Sequence, residues 1–178
     1  GMTESQLGMV SAFYFLPVGI LAIVVGRALD KYSVKNFMMV GAVIYAIGLF
    51  SLSFINSYWS LLTIYLTLLA LGSIMMGNLA VAKLISNWFD KNAGRALGIA
   101  AIGISFSGVV LPLVVDPLLD LVGWRNVYVI FASVVLFILL PLIFFTVIDD
   151  PKTVNQFKDG IKKDNEEESL PQEMSAKD

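Results

Sequence analysis

The sequence predicts an all-α integral membrane protein with five transmembrane helices, and three observations carry that prediction. The chain is 57% hydrophobic and 15% charged, against about 25% charged residues in soluble domains, and its mean hydropathy is +0.80. Charge is absent from Ser5 to Gly26, from Asn36 to Ala82, from Ala96 to Val115 and from Asn126 to Ile148, as expected of segments whose solvent is lipid. What charge the body carries is gathered between these runs, above all in GRALDKYSVK, residues 26–35.

The first helix is expected over about 4–30. Thr3 and Gln6 fit a capping box ahead of it, and its uncharged part is long enough, at about 1.5 Å per residue, to cross roughly 30 Å of hydrocarbon. Pro17 is tolerable inside it because neighbouring helices can satisfy the freed carbonyl. The uncharged stretch from Asn36 to Ala82 is too long for one crossing, and Asn56-Ser57, followed by Tyr58 and Trp59, marks the turn. Helices are therefore expected over 36–55 and 58–87. The charged turn NWFDKNAGR precedes a fourth helix, 93–115, which Asp116, Pro117 and Asp120 end. Gly123-Trp124-Arg125 opens a fifth, 124–148, which Asp149-Asp150-Pro151 stops. Residues 149–178, rich in Lys, Glu, Asp and Ser, read as a solvated, disordered linker. A short surface helix over Val154 to Ile161 is the alternative there.

Basic residues set the direction. Arg27, Lys31, Lys35, Lys83, Lys91, Arg95, Lys152, Lys158, Lys162 and Lys163 fall at one set of helix ends and Arg125 alone at the other, so those turns and the tail are expected on the cytoplasmic side. An odd number of crossings with an exterior start suggests a missing leading helix.

The chain has no cysteine and no histidine, which removes thiol nucleophiles, His-based dyads and the usual zinc or iron–sulfur ligands. No Gly-rich stretch ends in Gly-Lys-Ser/Thr, so nothing cradles nucleotide phosphates. Neither an enzyme, a cofactor, a metal nor a nucleic-acid partner is expected. The opening GMTESQLG does not read as a signal peptide.

Asp30 is the most informative single residue. It stands at a helix C-terminus, where the macrodipole disfavours an anion, beside hydrocarbon, where an unpaired carboxylate is costly. A partner is expected from Arg27, Lys31, Arg95 or another helix N-terminus, with a hydrated turn residue as the plain alternative. Lys83, in an otherwise apolar helix, reads first as a side chain that snorkels to the interface and second as an attractor of anions. Tyr14, Asn78, Lys83, Ser105 and Ser107, with Ser73 and Thr67, are candidate lining for a polar pathway, and each can equally bond a backbone carbonyl. Gly41 and Gly48, Gly19 and Gly26, Gly94 and Gly98, Ala101 and Ser105, and Gly103 and Ser107 share helix faces at spacings that allow close packing.

GRALDKYSVK resembles the loop between the second and third helices of the major facilitator superfamily, with Gly26, Asp30, Lys31 and Lys35 matching. Ser33 replaces its second glycine and Val34 one of its basic residues. NWFDKNAGRALGIAAIGISFSG is similar to the junction of the fourth and fifth helices in the monocarboxylate and oxalate/formate branch, and GWR at 123–125 is usual before the sixth helix there. The resemblance implies that the five crossings are helices two to six of a twelve-helix fold, an incomplete N-terminal half whose partners are the missing first helix and the C-terminal half. It implies secondary active transport of small organic anions, with a proton or a counter-anion as the coupled species, in a bacterial or archaeal cytoplasmic membrane. Gly26, Asp30, Lys31, Lys35 and Arg95 would form a cytoplasmic gate. The alternatives are a drug or sugar carrier of the same superfamily and a non-transporting membrane sensor or assembly subunit.

Overall fold

The computed structural model describes residues 4–160, and every regular element among them is helical. Helix α1 is Glu4–Lys31 and α2 is Val34–Leu52. Helix α3 occupies the run Tyr58–Trp88, in which a π-turn at Tyr65–Leu69 and a break at Gly77 interrupt the α-helical ladder. A further run, Ala93–Thr146, has 54 residues, about 80 Å at helical rise and far more than one bilayer crossing needs. It is divided at Gly123, whose φ of 76° and ψ of 159° lie in a region essentially open to glycine alone. We name its parts α4, residues 93–122, and α5, residues 124–146. The runs Val34–Leu52, Tyr58–Trp88 and Ala93–Thr146 are each long and apolar enough to cross a membrane.

Two boundaries differ from the sequence expectation. Helix α4 continues past Asp116, Pro117 and Asp120, because a proline costs a helix one hydrogen bond while Leu118, Leu119 and Leu121 favour continuing it. Its stop is the left-handed Gly123. The described residues after Thr146, 147–160, do not run free: Pro151–Val154 and Lys158–Gly160 are short 3₁₀ turns, with Asn155 in the left-handed region between them. There is thus no continuous helix over 154–160, where a surface helix was the alternative. Thr3 and residues 161–178 lie outside the described residues.

Helix α2 is the centre of the packing. Val34, Met38, Ala42, Ala46, Leu49 and Leu52 recur every three or four positions and are all buried. They belong to one cluster with Leu69, Ile74 and Met75 of α3 and Ala132, Val135 and Ile143 of α5. Lipid is as apolar as these side chains, so the association rests on close packing rather than on escape from water. The α2–α3 seam shows how close. A Cβ built on Gly72 would lie 2.7 Å from the Tyr45 nitrogen and 2.9 Å from the Gly41 carbonyl oxygen, and one on Gly41 would lie 2.6 Å from the Met75 Cβ. Gly48 meets Leu69 in the same way. The shared face of Gly41 and Gly48 is therefore in use.

The glycine stripe of α4 is not. Nothing among the described residues comes within 4 Å of a Cβ at Gly94, Gly98, Gly103 or Gly108, nor at Gly19 or Gly26 of α1. Ile99, Ile102, Phe106, Val109 and Leu113 of α4 are exposed as well. Hydroxyls inside the helices are satisfied locally: Thr63, Thr67, Ser107, Ser133 and Thr146 each donate to a carbonyl three or four residues back, as a helix in lipid requires.

Candidate functional site: the charged helix ends

Asp30 has a partner, and it is Lys83. The Lys83 Nζ donates to Asp30 Oδ1 at 2.6 Å, joining the last turn of α1 to the final segment of α3, Asn78–Trp88. The Asp30 side chain is 71% exposed and that of Lys83 32%, so the pair is partly screened by water. Its electrostatic reason is local: an acidic residue at a helix C-terminus opposes the macrodipole and needs a neighbouring cation. Neither Arg27, Lys31 nor Arg95 fills that role among the described residues, which corrects the partners expected from sequence. Lys83, read first as a snorkelling side chain, spends its charge on Asp30.

The other expected gate residues go different ways. The Lys35 backbone N–H donates to Asp149 Oδ1 at 2.7 Å, and its Nζ lies 4.7 Å from the centre of the Phe144 ring, so Lys35 ties α2 to the end of α5. Lys31 is exposed, its Nζ 5.8 Å from the Tyr32 ring. Arg95 is exposed at the head of α4, and Gly26 is half-buried with open space beside it. The structure thus brings Asp30, Lys83 and Lys35 to one end of the bundle without joining all five in one network.

Of the pathway candidates, Tyr14 and Ser73 meet. Their hydroxyls are 2.6 Å apart, and the Tyr14 ring stands edge-on to Tyr65 at 5.8 Å. Ser73 also donates to Ala70 O. Tyr45 and Tyr128, like Tyr14 and Tyr65, are half-buried against the central cluster, so four tyrosines from α1, α2, α3 and α5 pack around it. Asn78 and Ser105 are exposed, and Ser107 bonds its own helix. These three are not brought together with Tyr14.

Sequence reasoning missed a set of contacts at the same end. Trp88 Nε1 donates to Ile148 O at 2.7 Å and Asn87 Nδ2 to Asp149 O at 3.0 Å. Together with the Lys35–Asp149 bond they join the end of α3, the start of α2 and the residues that follow α5. The signal was present as Trp88 beside a polar Asn87, but its partner is 60 residues away and no local pattern points to it.

The family comparison decides what these helices are part of. The sequence model of the Major Facilitator Superfamily matches residues 1–172. The chain belongs to that superfamily. Among curated relatives it is 29% identical over 140 residues to MFS-type transporter 1 of an Ophiocordyceps species, covering 79% of this chain and 31% of the relative. It is 27% identical over 142 residues to the uncharacterized MFS-type transporter YcxA of Bacillus subtilis, covering 80% and 35%. It is 27% identical over 112 residues to the riboflavin transporter MCH5 of Saccharomyces cerevisiae, covering 61% and 21%. The chain spans about a third or less of the length of these relatives. They come from fungi and from a bacterium, which lends no support to a specifically bacterial or archaeal membrane. No solved structure matches.

At the opposite end of this superfamily chain, Arg125 performs the equivalent stitching. It donates to the carbonyl oxygens of Ser53 and Ile55, both at 3.1 Å, and to Asn56 Oδ1 at 2.9 Å, with its guanidinium 4.3 Å from the Trp124 ring. One planar cation thereby closes carbonyls that the end of α2 leaves open. Arg125→Gln is expected to lower the thermal midpoint of the detergent-solubilised protein by roughly 5 °C. Arg125→Lys should fall between, since an ammonium cannot span the same fork. An unchanged midpoint for Arg125→Gln would show that these bonds are replaced by water without loss.

Proposed function

We propose that this chain is part of a secondary active transporter that moves small organic anions across a membrane by alternating access. Its five helices stand for the second to sixth of twelve. The observation that carries this reading is the Asp30–Lys83 pair, which closes α1 onto α3 at the cytoplasmic end of a bundle belonging to a transporter superfamily. In a rocking carrier such a pair is a two-state contact: made when that end is closed, parted when it opens. Lys35, held to Asp149, keeps α2 in register beside it, while Lys31 and Arg95 offer exposed cations to the remaining helices.

The anion preference rests on the likeness of residues 87–108 and 123–125 to the oxalate/formate branch. The bare glycine face of α4, spaced for close helix packing, supports the reading that further helices of the carrier cover it. No Asp or Glu stands mid-way along the described spans; Asp116 and Asp120 sit near the Gly123 end of α4. The coupled proton or counter-anion is accordingly assigned to other helices. A second reading, a carrier of another substrate class, draws on the relative named as a riboflavin transporter.

The test is uptake by the intact carrier in proteoliposomes, offered radiolabelled mono- and dicarboxylates beside riboflavin, a sugar and a cationic drug. Uptake of a carboxylate that other carboxylates compete away is the expected result. Movement of only a neutral or cationic compound would overturn the substrate class, and no movement of any would overturn transport.

A further inference from the structure

Beyond the stitch at Asp149, the chain makes a second contact with the helix ends. The Asp159 carboxylate accepts from the backbone N–H groups of Asp90 at 3.0 Å, Lys91 at 2.8 Å and Asn92 at 3.3 Å, and from the Asn92 side-chain amide at 3.2 Å. Three successive amides at the head of a helix turn toward one point, an arrangement that holds anions, and here the anion is a side chain 67 to 69 residues away. Next to it, Lys158 Nζ donates to Ser86 O at 3.1 Å.

We propose that residues 150–159 are a releasable strap, whose Asp159 carboxylate latches onto the amides of Asp90, Lys91 and Asn92 and ties the cytoplasmic ends of α3, α4 and α5 together when closed. The inference stands whether or not the substrate class proposed above is right.

Two features make the strap releasable. Between its anchors it buries almost nothing: Pro151 is buried, while Lys152 to Lys158 are exposed. The latch is also at the water surface, where salt screens a charge and water competes for each amide. By contrast the inner stitch uses the Trp88 indole and the partly buried Asp149, and is the fixed end. Two features make closure specific. Asn155 and Asp159 both adopt positive φ, 56° and 55°, uncommon for residues other than glycine. And four donors meet one carboxylate, so a shift of the strap by a single residue loses all of them.

Partial loss of water around Asp159 would by itself raise its pKa. The bonds from Lys91, Asp90 and Asn92 outweigh it and hold the group below the usual 3.8. A carboxylate lowered in this way favours the closed strap above its unfolded pKa and ceases to do so as pH falls through the folded one. The neighbouring charges are Asp90 and Lys91 on the turn, Lys158 beside it, and Asp150 and Lys152 on the strap. Closure is therefore steady from about pH 5 to pH 8.

The experiment uses the full chain in nanodiscs. Because the sequence has no cysteine, spin labels can be placed only at Lys91→Cys and Gln156→Cys, and their separation read by pulsed EPR. With Asp159 present, one short, narrow distance distribution is expected. Asp159→Ala should move most of the population to longer, broader distances, and amide exchange at 90–92 should quicken about two- to tenfold. Exchange along α2 should stay unchanged. Asp159→Asn keeps an oxygen for the same amides and loses the charge, so it should lie between and guards against a folding defect. A broad distribution with Asp159 intact, or identical distributions and exchange in all three proteins, would overturn the strap.

Discussion

Asp30→Asn is expected to reduce uptake by the intact carrier at least about tenfold while leaving its amount in the membrane unchanged. The substitution keeps the size of the side chain and removes its charge, so packing at the end of α1 is preserved. Lys83 is then left as a cation near hydrocarbon without its counter-charge. If the pair holds one end of the transport cycle, a bias of about 1.4 kcal/mol in that state is a factor of ten in population or rate. Lys83→Gln should act in the same direction, and the exchange Asp30→Lys with Lys83→Asp should recover part of the activity, because attraction depends on the pair and not on which helix carries which sign. Initial uptake rates, normalised to the protein found in the membrane, measure this. Near-normal uptake by Asp30→Asn would remove the pair from the mechanism, and failure of the exchanged pair to recover anything would show that each residue acts separately.

Gly72→Ala is expected to weaken the bundle by about 2–3 kcal/mol, and Gly72→Leu to prevent the native packing of α2 on α3 altogether. A methyl at position 72 would stand 2.7 Å from a backbone nitrogen and 2.9 Å from a backbone oxygen of α2. Neither atom is the free end of a flexible side chain, so the two backbones must separate along the whole seam. The gain in intrinsic helix propensity from glycine to alanine, about 1 kcal/mol, is smaller than that loss. Gly98→Ala in α4 gives the matching control: its Cβ enters open space, so the same propensity gain should leave the chain as stable or slightly more stable. Thermal or denaturant midpoints of the two variants in one detergent compare them directly. Equal effects at Gly72 and Gly98 would show that the α2–α3 contact is not set by these glycines.

The helical runs were legible in the sequence because lipid excludes charge, and the gaps at Arg27–Lys35 and at 90–95 stand out against stretches such as Asn36–Ala82. Gly41 and Gly48 were legible for a related reason: seven residues is close to two helical turns, so small residues at that spacing share a face. Gly72, which makes the tightest approach to the backbone of a neighbouring helix, has no such spaced partner on α3, and only the crossing of two helices reveals it. Small residues four apart on α4, such as Gly94 and Gly98, meet nothing among the described residues, since a pattern can show that a helix is able to pack and cannot name what it packs against. At the candidate site, the position of Asp30 called for a partner, a cation or a helix N-terminus. The choice of Lys83 over the nearer Lys31 required knowing that α3 returns beside α1, 53 residues later. The described part of the tail, residues 149–160, was hard to read for the opposite reason. Its composition suits a solvated linker, but a few well-placed acceptors, Asp149 and Asp159, meet open amides that earlier parts of the chain leave at their helix starts.

Gly77 gives α3 a property that an unbroken rod would lack. Its ψ of −151° takes it out of the helix, and a Cβ on Gly77 itself would run into the Ser73 carbonyl. The ladder restarts at Asn78, with Val81 donating to the Gly77 oxygen. The tight glycine crossing with α2 lies on one side of that break and Lys83 on the other, so the piece that grips Asp30 and the piece that sets the seam are two separate helical rods. No unbroken α-helical ladder therefore connects the seam to the grip on Asp30.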